Sequence, residues 1–155
     1  MPTIDMSLLL PGDILLYASP DLIDKIIEWK EGGDVAHCEG YVGNGKSWAS
    51  RNGIGVNEYP FRPDGLVQVR RPDGIFDMEA ASAWFNTNAK GRPYGFGDIA
   101  ATVNLPDVLP GMDCSHFLSA LLHAAGCPQF DSGYNKQKIT PRDFQIVRES
   151  TIIFP

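Results

Sequence analysis

The sequence predicts an α+β fold, an antiparallel sheet packed against helices, on three observations. Strand-like and helix-like runs segregate along the chain instead of alternating as βαβ units. Asn44-Gly45 lies between two β-prone runs, a strong short-range signal for an antiparallel hairpin. Beyond residue 77, two segments carry apolar residues at helical spacing, one of them behind a capping aspartate.

The elements follow in order. Residues 13–17, Asp-Ile-Leu-Leu-Tyr, come after Pro11-Gly12 and read as a short buried strand. Ser19-Pro20 supplies an N-cap and a first-turn proline. Leu22, Ile23, Ile26 and Ile27 then recur at helical spacing until Gly32-Gly33. Residues 35–42, Val-Ala-His-Cys-Glu-Gly-Tyr-Val, and residues 46–50, Lys-Ser-Trp-Ala-Ser, form the two arms of the hairpin. Leu66-Val-Gln-Val-Arg70 alternates with period two and joins the same sheet. Asp77 caps a helix whose apolar face holds Met78, Ala81, Trp84 and Phe85, with Gly91 just past its end. Residues 92–111 are rich in Gly, Pro and Asp and read as a long connection, a feature that often serves function. A further helix starts near Cys114, carries Phe117, Leu118, Leu121, Leu122 and Ala125 on one face, and stops at Gly126-Cys127-Pro128. The tail from Ile139 contributes a last strand at 151–154.

A length of 155 residues suits one compact domain spanning 1–155. With 43% hydrophobic and 21% charged residues the chain reads as globular and soluble. A net charge of −6 with scattered basic residues, the densest pair being Arg70-Arg71 beside Asp73, excludes a nucleic-acid binder that needs clustered cations. No apolar run approaches the ~20 residues of a membrane span, so no stable membrane insertion is expected. Leu8-Leu9-Leu10 is stopped by Pro11-Gly12 and follows no basic segment, so the expectation is a cytoplasmic product without a cleavable signal. Cys38, Cys114 and Cys127 are too few and too irregular for a disulfide framework, which favours a reducing compartment and leaves at least one free thiol.

Cys114 sits in Gly-Met-Asp-Cys-Ser-His-Phe, residues 111–117, at a helix start. There the unpaired backbone N–H groups and the positive end of the helix dipole stabilise a thiolate. The same amides can donate to an oxyanion on an attacked carbonyl. A nucleophilic thiol needs a base, and three histidines are present. His123 lies within the helix in an apolar setting, and His116 stands two residues from Cys114, a spacing at which helical side chains do not face each other. His37 lies mid-strand with Val35, Glu39 and Tyr41 on its face. A strand histidine opposite a helix-start cysteine is the arrangement that nucleophilic catalysis uses.

Several of these pieces resemble one family. Residues 11–17, Pro-Gly-Asp-Ile-Leu-Leu-Tyr, are followed by a short helix, then by Ala36-His37-Cys-Glu-Gly-Tyr-Val-Gly43 and Asn44-Gly45-Lys46. This order is similar to the first half of circularly permuted NlpC-type papain-like cysteine hydrolases, the YiiX-like relatives of lecithin:retinol acyltransferase-like proteins. Gly91-Arg-Pro-Tyr94-Gly-Phe-Gly97, Asp113-Cys114-Ser115 and Ile139-Thr140-Pro141 resemble the second half. The resemblance covers most of the chain. It implies Cys114 as nucleophile and His37 as base, with no cofactor. It also implies a substrate-side role for Tyr94, whose hydroxyl would support the oxyanion or substrate, and for the adjacent Ser115. The substrate it implies is an amide bond in a cell-wall (peptidoglycan) peptide or peptide-like conjugate.

The third, histidine-orienting residue departs from the family pattern. Where the family carries a polar residue after the Asn-Gly turn, this chain has Ala49. Glu39, on the face of His37, is the residue expected to accept the imidazole N–H, with Ser50 and Asn52 as alternatives. A strict two-residue turn pairs Glu39 with Ser50 and His37 with Asn52, whereas a bulged turn shifts both by one. Cys38 points to the opposite face and reads as core, and Cys127 as structural. A zinc site from His37, Cys38, Glu39, Cys114 and His116 lacks ligand-type spacing, so no metal is expected. Two rival readings stand. One is a lipid-directed acyltransferase or thioesterase, since Cys114-Ser-His116-Phe117 is similar to a motif of that branch. The other is a catalytically silent binding module.

Overall fold

Six strands form one antiparallel sheet in the computed structural model, which describes residues 3–18, 35–94, 113–127, 141–146 and 150–154. They are β1 (Ile14–Tyr17), β2 (His37–Gly43), β3 (Lys46–Arg51), β4 (Gly55–Pro60), β5 (Leu66–Pro72) and β6 (Ser150–Phe154). Their spatial order is β4-β3-β2-β1-β5-β6. The helices are α1 (Met78–Trp84), which continues into a wider π-type turn at Phe85–Ala89, α2 (Cys114–Ala124) and α3 (Pro141–Ile146). The protein is thus α+β. The expected helix over 19–33, the connection beyond residue 94 and Ile139-Thr140 lie outside the described residues.

Apolar burial places the layers. On one face of the sheet Ile14, Leu16, Cys38, Val42, Trp48 and Val56 pack with Ala81, Phe85, Phe117, Leu118, Leu121, Leu122 and Phe144 from the helical side. Trp48 stacks on Phe85 with ring centroids 4.1 Å apart, and Phe117 meets Phe85 edge-on at 6.1 Å. On the other face Leu15, Tyr17, Tyr41 and Val69 pack with Ile4 and Leu9, and Phe61 leans on them from the segment after β4. Strand β1 is therefore buried on both faces, which is why its sequence is an unbroken apolar run. Its flank is pinned by Asp13, fully buried, which accepts two hydrogen bonds from Arg71 on β5 at 2.7 and 2.8 Å.

Asp77 caps α1 by accepting from the Ala80 N–H, and Asp113 caps α2 by accepting from the His116 N–H. Two elements were not expected from sequence. Strand β4 is the last strand at its end of the six-stranded order and is half exposed, so its residues show little apolar alternation. Helix α3 has six residues, too few to display a helical period. Its backbone Gln145 carbonyl accepts from Arg70, which also donates to Ser150 Oγ at 2.7 Å.

The hairpin register bears directly on the site. Asn44 and Gly45 both take positive φ, 53° and 69°, as a primed hairpin turn requires. After the Gly43–Lys46 pair the register slips by one, so that Tyr41 opposes Ser47 and Gly40 opposes Trp48. The turn is the bulged one. Continued, this register puts Ser47, Ala49 and Arg51 on the face of Glu39. Ser50 turns to the helical face, and Asn52 lies in the turn beyond β3. The β2–β3 pairing also stops at Gly40–Trp48, although β1 stays paired to His37 and β4 to Arg51. The two strands part at that end, and His37 opens β2 instead of lying mid-strand.

Candidate active site

Helix α2 crosses β2 at Gly40. A Cβ there would stand 3.1 Å from Leu121 Cδ2 and 3.2 Å from Leu118 Cδ1, so the missing side chain permits the close approach. That approach sets the start of α2, and with it Cys114, against the opening between β2 and β3. Cys114 is 1% exposed and His37 5%. The His37 ring is within hydrogen-bonding reach of the Cys114 sulfur. Its Nε2 is 3.0 Å from Glu39 Oε1, which leaves Nδ1 as the nitrogen available to the thiol. Tyr17 flanks the ring at a centroid distance of 5.9 Å.

Glu39 is fully buried and saturated with donors. Oε1 accepts from Arg51 Nε at 2.8 Å and meets His37, while Oε2 accepts from Ser47 Oγ at 2.6 Å and from the second Arg51 nitrogen at 3.1 Å. Arg62 adds an ion pair at 3.7 Å. Arg51 lies over the Tyr59 ring at 4.1 Å and Arg62 over the Tyr17 ring at 4.9 Å, so both guanidinium groups are held by aromatic faces. Arg51, Ser47 and Arg62 were not anticipated as part of the site. The bulged register was the available signal for the first two.

Charges follow from this geometry. Burial acts to raise Glu39, but the hydrogen bonds and charges of His37 and Arg51 overcome it and hold the carboxyl well below the usual range. Burial alone would lower His37, yet Cys114 and then Glu39 outweigh it and push the imidazole up to about 10. For Cys114 the hydrogen bond from the Cys38 thiol lowers the pKa, burial opposes it, and His37 lowers it further. The result is a thiol held well below its ordinary value of 9.0. These directions favour a thiolate at Cys114, an imidazolium at His37 and a carboxylate at Glu39, each charge compensated by its neighbour.

The other expected site residues are placed as follows. Ser115 is buried, its Oγ 3.8 Å from Cys114 Sγ, and its side chain also reaches Cys38. Tyr94 is 7% exposed. Its segment runs along β4, where Arg92 O accepts from Val56 N, at the same end of the sheet as His37. His116 is half-buried and His123 exposed, so the ring brought to Cys114 is that of His37. Cys38 is core, as expected, and its thiol and backbone N–H also interact with the Cys114 thiol, which adds it to the site. Cys127 is buried, with burial raising its pKa. Among the described residues, no group of three His, Cys, Asp or Glu side chains converges to hold a metal ion. Among them, too, no helix is long and apolar enough to cross a membrane. No family model and no curated protein matches this chain.

Proposed function

We propose that the protein is a thiol hydrolase of the permuted papain-like kind that cleaves amide bonds through a Cys114–His37 acyl-enzyme mechanism. One observation carries this reading: a helix-start thiol and a carboxylate-held imidazole meet in a buried opening of the sheet. The Cys114 thiolate attacks the carbonyl carbon. The amides at the start of α2 are the donors that the developing oxyanion would meet, with Tyr94 and Ser115 on the substrate side. His37, protonated, gives its proton to the departing amine. It then takes a proton from water as that water attacks the thioester, which returns the free acid and the thiolate. Glu39 holds the imidazole in place and favours its charged form. The resemblance makes a peptide amide of the cell wall the substrate of choice.

The test is turnover of muropeptides and of fluorogenic amides by wild type and variants. Cys114→Ala abolishes turnover with the fold retained, and His37→Ala does nearly the same, because nucleophile and base act as a unit. Glu39→Gln lowers kcat/KM by about one to two orders of magnitude while binding persists. A protein inert to amides but active on thioesters or phospholipids is instead the lipid-directed enzyme. One that binds wall fragments equally well with and without the Cys114 thiol, and never turns over, is a silent module.

A further inference from the structure

We propose that Cys38 is a resolving thiol for Cys114, which makes the opening between β2 and β3 a peroxide-reactive dithiol site that closes to a disulfide. The inference rests on the thiolate assigned to Cys114 above, and not on which acyl group that thiolate attacks. Three placements support it. Cys38 is completely buried in the helix-side core, yet its thiol is directed at the one sulfur poised for chemistry. The two cysteines stand on elements drawn together at Gly40, whose missing side chain lets α2 approach β2. Ser115 Oγ lies 3.8 Å from the Cys114 sulfur and its side chain also bonds Cys38, and both cysteines belong to the same buried helix-side core. Cys127, beyond the far end of α2, is separated from Cys114 by the length of that helix, about 16 Å for eleven residues, so the pairing has one solution.

The chemistry balances. The Cys114 thiolate attacks one oxygen of hydrogen peroxide, the O–O bond breaks, and sulfenic acid and hydroxide result. The Cys38 sulfur then attacks the sulfenic sulfur. An S–S bond forms, the S–O bond breaks, and the hydroxyl leaves as water with the Cys38 proton. Two thiols are oxidised and one peroxide is reduced. Closure brings the sulfur atoms to about 2.05 Å. Peroxide, at two oxygen atoms, demands less access than any acyl substrate. An external dithiol reverses the bond and returns the nucleophile.

The test uses the full chain carrying Cys127→Ser, treated with hydrogen peroxide and read by intact mass and peptide mapping. The expected result is loss of two hydrogen atoms per chain, one linked peptide pair containing residues 38 and 114, and full reversal by dithiothreitol. With Cys38→Ser added, or Cys38→Ala should serine not be tolerated in the core, Cys114 proceeds to sulfinic acid, which dithiothreitol does not reverse. Absence of any peroxide product, or sulfinic acid in both proteins with no linked peptide, overturns the inference. Because the readout is mass, failure here is separable from failure of the hydrolase reading. A chain that links its thiols but cleaves no amide sinks only the latter.

Discussion

Glu39 accepts four hydrogen bonds on two oxygens, which fills its lone-pair sites, and Arg62 adds an ion pair at 3.7 Å. Its charge is therefore committed to His37 and Arg51, and through His37 to the state of the thiol. That chain of compensation distinguishes the three cysteines chemically. Burial raises Cys38, and the neighbouring Cys114 adds to the effect; burial likewise raises Cys127. Cys114 alone is lowered. Alkylation follows the thiolate fraction, so iodoacetamide at pH 7 labels Cys114 first, with Cys38 and Cys127 unlabelled in the folded protein over the same interval. Peptide mapping after timed quenching reads this, and equal labelling of the three, or Cys127 first, would contradict an activated Cys114. At this scale the sequence was legible where backbone position decides chemistry: a cysteine at a helix start, a histidine and glutamate two apart on one strand face. Arg51 and Arg62 were not legible, because nothing local shows which distant carboxylate a guanidinium will find.

Among the elements, the approach of α2 to β2 is set by an absence, the missing side chain of Gly40. Adding a methyl there meets the ends of Leu118 and Leu121, flexible groups that yield by a few tenths of an ångström, so the helix shifts without the fold being lost. Gly40→Ala is expected to lower stability by about 1–2 kcal/mol, the usual range for a single overpacked contact. It should also slow Cys114 alkylation, because the start of α2 moves away from Cys38 and His37. Denaturant unfolding and the alkylation rate measured together check this, and unchanged values for both would mean that contact at Gly40 does not position the thiol. The hairpin shows how far pattern reading reaches. Asn44-Gly45 announced the turn, but the one-residue bulge that aims Ser47 and Arg51 at Glu39 depends on how Gly43, at φ 93°, closes the ladder. Strand β4 and helix α3 escaped for a different reason. Each is short and partly exposed, and buried periodicity needs more residues than they have.

For the molecule as a whole, the buried charges link folding to pH in a way that tests the thiolate–imidazolium pair without any substrate. His37 is raised from 6.5 to about 10, so its contribution to stability is complete below pH 6.5 and is lost as pH rises through 10. Cys114 is an acid lowered from 9.0, so its contribution is complete above pH 9 and is lost as pH falls through its folded value. Between pH 6.5 and 9 the first contribution declines while the second grows, each by about 1.4 kcal/mol per pH unit. The two cancel. The folded pair and the unfolded chain then hold the same number of protons, one on the imidazole in the former and one on the thiol in the latter. Glu39 is lowered from 4.5, so its contribution is already complete and constant across this window. Wild-type unfolding free energy, from urea titrations at half-unit steps, is therefore expected to be level from pH 6.5 to 9. A neutral thiol beside a neutral imidazole would hold the same single proton, so the level line is completed by reading the thiolate itself. Wild type is expected to show the ultraviolet absorbance of one more thiolate than Cys114→Ala at pH 7, an excess that is lost in acid as Cys114 is protonated. Equal absorbance of the two proteins at pH 7 would mean that the resting pair is a neutral thiol beside its histidine, and that the ion pair assigned to the site is wrong.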